Sequence, residues 1–135
     1  MSTKIDDLLK TAVNSGASDL HLKVGNFPVV RIDGALSFIP DEKKITSEDV
    51  EEISTIVLNE NQQQVFKRKN ELDISYSVAG LGRFRCNIFR QRGSIGVAFR
   101  VIPIKILDIE QLHLPIVLRE IALEPRGLIL VTGTT

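Results

Sequence analysis

Residues 82–102 read Gly-Arg-Phe-Arg-Cys-Asn-Ile-Phe-Arg-Gln-Arg-Gly-Ser-Ile-Gly-Val-Ala-Phe-Arg-Val-Ile, and their pattern decides the fold. Apolar residues alternate on two arms, first Phe84, Cys86 and Ile88, then Ile95, Val97, Phe99 and Val101. A period of two is the mark of a half-buried strand, and Gln91-Arg92-Gly93-Ser94 between the arms is turn chemistry. Pairing Ile88 with Val97 and Cys86 with Phe99 leaves a four-residue loop and sets Arg85 opposite Arg100. Arg83, Arg85, Arg90 and Arg100 are read as one cationic face, with Arg92 in the turn. Two like charges opposed across a ladder destabilise it unless an anion joins them. A slip of one residue would send the two arginines to opposite faces.

Upstream, the chain reads as helix, three strands, two helices and a strand before this hairpin. Ile5, Leu8, Leu9, Ala12 and Val13 form one helical face, which Ser2 or Thr3 can cap and Gly16 stops. Leu20, Leu22 and Val24 alternate as a strand; Pro28–Ile32 and Leu36–Ile39 flank Asp33-Gly34, a short hairpin signal. Thr46 or Ser47 caps a helix with Val50, Ile53, Ile56 and Val57 as its stripe, and residues 59–69 make another with Val65 and Phe66 inward. Leu72, Ile74, Tyr76 and Val78 alternate as a strand. Sequential short strands with interspersed helices predict an α+β domain, an antiparallel sheet with helices packed against it.

Pro103 closes that domain, and the regime changes. Asp108-Ile109-Glu110 opens a helical stretch, and Pro115 suits the start of a helix through Ile116, Val117, Leu118, Ile121 and Leu123. Gly127-Leu128-Ile129-Leu130-Val131 is continuously apolar, the pattern of a strand covered on both faces. Unpaired, that strand is expected to fray or to pair with another chain.

Composition excludes several classes. Net charge is zero over 135 residues, so no global field draws the chain to nucleic acid or anionic membrane. The distribution is uneven: residues 74–107 contain no carboxylate, whereas residues 41–60 are strongly acidic. Cys86 is the sole cysteine and reads as a small core residue in a reducing compartment. No apolar run approaches the roughly 20 residues of a membrane helix. The N-terminal Met-Ser-Thr-Lys-Ile-Asp-Asp lacks the apolar stretch of a signal peptide, and a cytoplasmic chain is expected. His21 and His113 have no catalytic partner in the sequence, and no spacing suggests a metal site.

Val131-Thr132-Gly133-Thr134-Thr135 has the form in which a phosphate-binding loop begins, although its lysine and hydroxyl would lie further on. With Ala17-Ser18-Asp19-Leu20-His21-Leu22, Arg31-Ile32-Asp33-Gly34, Gly82-Arg83-Phe84-Arg85-Cys86-Asn87, Phe99-Arg100-Val101-Ile102-Pro103, Leu112-His113-Leu114-Pro115 and Pro125-Arg126-Gly127, it occurs in one order along the chain. In these features the chain resembles the pilus retraction ATPases of the twitching-motility (PilT) type, within the type II and type IV secretion ATPase superfamily. The resemblance implies a PAS-like N-terminal domain over 1–102, a linker over 103–108, and over 109–135 the first helix and strand of a RecA-like α/β ATPase domain truncated within its Walker A loop. It implies a cytoplasmic homo-hexamer at the inner-membrane pilus base that uses ATP and magnesium, works with the pilus inner-membrane platform, and neither inserts into the membrane nor binds nucleic acid. Arg85 and Arg100 match the arginines that in this family contact the nucleotide phosphates, and Gly133, Thr134 and Thr135 match the start of the Walker A loop. The role of Arg126 stays open. On this basis the piece alone is not expected to hydrolyse ATP or to bind it tightly. The competing expectation is a binding module without a motor: a PAS-like sensor, or a single-stranded nucleic-acid binder using Arg83–Arg92 with Phe84 and Phe89. An aromatic content of 5% argues against the latter.

Overall fold

The computed structural model describes residues 4–103 and 106–133. Helix α1, Lys4–Asn14, buries Ile5, Leu8, Leu9 and Ala12. Gly16, at φ 71°, turns the chain out of it, a conformation that costs glycine little. Three short strands follow: β1 Asp19–Lys23, β2 Val29–Ile32 and β3 Ala35–Phe38. Asp33 and Gly34 both have positive φ (48° and 82°), as the two-residue hairpin turn foreseen at Asp-Gly requires.

Helix α2, Ser47–Val57, begins at Thr46, whose hydroxyl accepts the Asp49 N–H at 3.2 Å while the Asp49 carboxylate accepts the Thr46 N–H at 2.8 Å. Helix α3, Glu60–Lys69, has the same reciprocal cap between Asn59 and Gln62, and Asn70 ends it in the left-handed region. Each such cap satisfies helix-end N–H groups and is worth about 1 kcal/mol. Lys4 reaches Asp49 at 2.7 Å, linking α1 to the start of α2. Ile56, read from the sequence as part of the buried stripe, is 37% exposed; only Val50, Ile53 and Val57 of that set are buried.

Strands β4 Glu71–Val78, β5 Gly82–Gln91 and β6 Ser94–Ile102 complete one antiparallel sheet in the order β3-β2-β1-β6-β5-β4. Two three-stranded meanders are therefore joined at a single seam, β1 against β6, with Leu20 opposite Phe99 and Leu22 opposite Val97. The expected α+β architecture is the one observed. Leu20, Leu22, Phe84, Cys86, Ile88, Val97 and Phe99 form the buried face of the sheet and share one core with α1, α2 and α3. Phe84 and Phe99 meet edge-to-face at 6.5 Å, and Tyr76 lies 6.0 Å from Phe99. The Tyr76 hydroxyl donates to Asp6 at 3.1 Å; burial, with the Asp6 charge beside it, pushes its pKa up to about 12. Burial likewise pushes the Cys86 thiol up to about 12, which makes it an inert core residue as its strand position suggested.

Pairing between β5 and β6 follows the register inferred from sequence, with Ile88 opposite Val97, Cys86 opposite Phe99 and Arg85 opposite Arg100. It also continues further, to Gln91 opposite Ser94, so the loop is the two residues Arg92 and Gly93 rather than four. Both have positive φ, 50° and 81°. The longer ladder corrects a second expectation. Arg90 has the parity of Ile88, so it belongs to the helix-covered side, where its guanidinium lies 5.8 Å from the Phe66 ring of α3. It is not part of the face that carries Arg85.

Residues 106–133 belong to a second unit. Asp108 and Gln111 exchange backbone-to-side-chain hydrogen bonds at 3.1 and 2.7 Å around a turn, and α4, Val117–Ile121, starts two residues after Pro115. Arg119 pairs with Glu110. Gly127–Val131, a strand by composition that is expected to fray where it is unpaired, has irregular backbone, and Leu128, Leu130 and Val131 are 84%, 77% and 89% exposed. A continuous apolar run becomes a strand only where neighbouring strands accept its backbone groups, and among the described residues none pairs with it.

Phe99 is 1% exposed at the seam, in contact range of two aromatic rings. Phe99→Ala is expected to destabilise the domain by about 3–5 kcal/mol. Urea unfolding measures this, and a loss well under 1 kcal/mol would show that the seam is not the packing centre.

Candidate functional site

The sheet face opposite the helices is open, and strand parity decides what it carries. Reading across the six strands, one row of directly opposed residues runs Leu36, Arg31, Asp19, Arg100, Arg85 and Ser75. The adjoining row runs Phe38, Val29, His21, Ala98, Asn87 and Asp73. Together Asp19, His21, Glu71, Asp73, Arg85, Asn87 and Arg100 border a shallow groove of about 380 Å³. Ala98, the small residue between His21 and Asn87, contributes to its floor.

Arg85 and Arg100 are brought side by side, as the register required, and both are largely exposed, with 66% and 70% of their side chains open to solvent. The anion that the sequence left unsupplied is in part the protein's own. Asp19 on β1 accepts the Arg100 Nε–H at 2.9 Å, and Asp73 on β4 sits 3.4 Å from Arg85 Nε. The two pairs differ in kind. Asp19 is 7% exposed, whereas Asp73 is half-exposed and its contacts with Arg85, at 3.4 and 3.5 Å, are long. An exposed ion pair of the second sort contributes about 0–1 kcal/mol and is readily exchanged for another anion.

Asp19 has further partners. The Ser18 hydroxyl donates to its Oδ2 at 2.8 Å, and Arg31 Nε lies 3.6 Å from the same oxygen. Burial opposes ionisation of this carboxyl, but hydrogen bonds from Ser18 and Arg100 and the nearby positive charge outweigh it and hold the pKa below the ordinary aspartate range. In the sequence, Asp19 stands out only as part of the Ala17–Leu22 feature. Its position opposite both an arginine of β2 and an arginine of β6 depends on strand order, which residue pattern does not encode.

The remaining expected residues are distributed elsewhere. Arg83 is on the open face beside Ile102, Arg92 is at the hairpin tip, and Arg90 is on the helix side. His21, for which the sequence offers no catalytic partner, has a buried Nε2 with no hydrogen-bond partner among the described residues. Gly133 is described and lies in irregular backbone, whereas Thr134 and Thr135 fall outside the described residues. Among the described residues there is no group of three or more His, Cys, Asp or Glu placed to hold a metal ion. Nor is any helix there long and apolar enough to cross a membrane.

The fold and the arginine row define an α+β sheet domain with one helix-covered face and one charged open face. No protein-family model matches the sequence. The chain is 38% identical over 131 residues to the type IV pilus retraction ATPase PilT of Pseudomonas aeruginosa, which covers 97% of this chain and 38% of that protein. It is 33% identical over 132 residues to the type IV pilus ATPase PilU of the same organism, covering 98% of this chain and 34% of PilU. In structure it matches the pilus retraction motor PilT crystallised with bound ADP, at a TM-score of 0.77 and 39% identity, over 88% of this chain and 35% of that one. The chain is a homologue of the PilT-type pilus retraction ATPases, matching their N-terminal domain in fold. It spans well under half the length of these relatives.

The depressed pKa of Asp19 carries a pH signature. A folded-state value below the unfolded one contributes stability that is complete above the ordinary aspartate pKa of about 3.9 and is lost as pH falls through the folded value. Asp19→Asn is therefore expected to be less stable than the parent chain at neutral pH, with the gap narrowing as pH falls below the ordinary aspartate range and through the lowered folded-state value. Urea unfolding at a series of pH values checks this; a gap independent of pH would contradict it.

Proposed function

We propose that this chain is the nucleotide-contacting N-terminal module of a hexameric pilus retraction motor, in which ATP hydrolysis drives domain rotation and pilus disassembly. The observation that carries the reading is the pair Arg85 and Arg100, opposed on one open sheet face with their guanidinium groups exposed. Guanidinium groups delivered by a mobile neighbouring element stabilise charge on a transferring phosphoryl group.

In this reading residues 1–102 are the module, 103–108 connect it, and 109–135 open the ATP-binding domain, whose phosphate loop starts at Gly133, Thr134 and Thr135. The division of the chain into units 1–104 and 105–135 supports that boundary. The residues present fit a phosphate: two exposed guanidinium groups stand side by side, and the Asp73 contact with one of them is long enough to be displaced. Magnesium belongs with the phosphates rather than with this face, because Asp19 and Asp73 already hold arginines. ATP supplies the phosphoryl group; Arg85 and Arg100 bind and orient it. The module's partners are other copies of the motor and the inner-membrane platform of the pilus, and its location is the cytoplasmic side of that platform.

A chimera tests this. Residues 1–103 placed in P. aeruginosa PilT, in exchange for the matching segment, should restore twitching to cells that lack PilT. Arg85→Ala and Arg100→Ala in the chimera should each lower ATP turnover by about tenfold or more, the scale of one lost charge-stabilising contact. Turnover at the parental rate in both variants would sink the phosphate role.

A further inference from the structure

We propose that Asp19 is a positioning residue, an anchored carboxylate that holds Arg100 by its Nε so that both terminal amino groups face the nucleotide phosphate. The proposal rests on the phosphate-contact reading above and adds to it the group that aims one of the two arginines.

The geometry divides the Asp19 carboxylate into two halves with different tasks. Oδ2 is held from behind: it accepts the Ser18 hydroxyl at 2.8 Å and lies 3.6 Å from Arg31 Nε. Those holders are themselves fixed. Ser18 N–H donates to the Arg31 carbonyl at 2.8 Å, Val101 N–H donates to the Ser18 carbonyl at 3.0 Å, and Arg31 Nη1 donates to the Gly34 carbonyl at 3.0 Å. Ser18 is thus tied by its backbone to both neighbouring strands. Oδ1 takes one bond, from Arg100 Nε at 2.9 Å. Asp19 is almost entirely buried while 70% of the Arg100 side chain is exposed, so the anchored end is inside and the guanidinium projects outward.

A guanidinium presents five N–H donors in a planar fork. Binding by Nε alone leaves Nη1 and Nη2, and among the described residues Arg100 makes no other hydrogen bond. The end of the fork is therefore free for an end-on, bidentate contact with an oxyanion. An arginine already fixed in one orientation loses less side-chain entropy when it meets its ligand. Arg85 has no comparable anchor, since Asp73 is half-exposed and its contacts, at 3.4 and 3.5 Å, are long. The two arginines consequently have different characters: Arg100 is aimed in advance, and Arg85 must let go of Asp73 to reach the same anion.

Two measurements test the anchor. In the 135-residue chain labelled with ¹⁵N-arginine, the Arg100 Nε–H should give a slowly exchanging resonance that Asp19→Asn abolishes while the backbone spectrum is retained. If Asp19→Asn does not fold, Ser18→Ala, which removes the hydroxyl behind Oδ2 along with its longer 3.4 Å contact to the Arg31 carbonyl, should speed exchange of the same Nε–H. In the PilT chimera, Asp19→Asn should lower kcat/KM for ATP by nearly as much as Arg100→Ala. The double variant should be no worse than Arg100→Ala alone, because Asp19 acts through that side chain. An unchanged Arg100 Nε–H resonance in Asp19→Asn, or losses that multiply in the double variant, overturns the positioning role. Parental turnover in Arg100→Ala, together with a lost resonance in Asp19→Asn, instead overturns the phosphate reading and with it the purpose given to the anchor.

Discussion

The seam between β1 and β6 is the constraint on which everything else depends. Each three-stranded meander is local in sequence, but the seam joins residues about eighty positions apart, such as Asp19 and Arg100. Contacts of that separation are entropically expensive to close and are formed only when burial rewards them. Here the reward is the pair of inward residues on each side, Leu20 with Phe99 and Leu22 with Val97, none more than 1% exposed. The same ladder that buries these residues on the helix side places Asp19 and Arg100 opposite each other on the open side. Core and site are two faces of one register.

That register explains how a cationic sheet face is tolerated. Arg31, Arg100 and Arg85 would repel one another across neighbouring strands, but Asp19 stands between the first two and Asp73 beside the third. The open face is neutralised in part, and unequally. One carboxylate is buried and multiply bonded; the other is solvated and loosely held. The inequality leaves a surface that is stable without a ligand and still offers exposed guanidinium groups to one.

Much of this was legible in the residues themselves. Alternation in Phe84–Ile88 and Ile95–Val101 was enough to infer the hairpin register and the Arg85–Arg100 juxtaposition, because period-two burial leaves few alternatives. Asp33-Gly34 announced its turn, since few residue pairs accept two positive φ angles. The remainder turned on tertiary context. The ladder of the hairpin extends beyond the last apolar pair, so parity transfers Arg90 to the helix side and shortens the loop to Arg92-Gly93. Gly127–Val131 has a strand's composition but no ladder partner among the described residues. Asp19 was visible in the residues but had no role there, because its partners lie on strands whose adjacency is set by tertiary packing; a buried aspartate at an outward strand position is the one signal that structure alone makes visible.

Because the arginine row crosses the seam, the site is assembled from both halves of the domain and belongs to neither. Ser18, Asp19 and Arg31 come from the first meander; Arg85, Arg100 and Asp73 come from the second. A chain with both meanders formed but the seam open would retain most of its strand content and contain no site at all. The charged face is thus a readout of completed topology, and a substitution that loosens Leu22 against Val97 would present as a loss of function before it presented as a loss of structure.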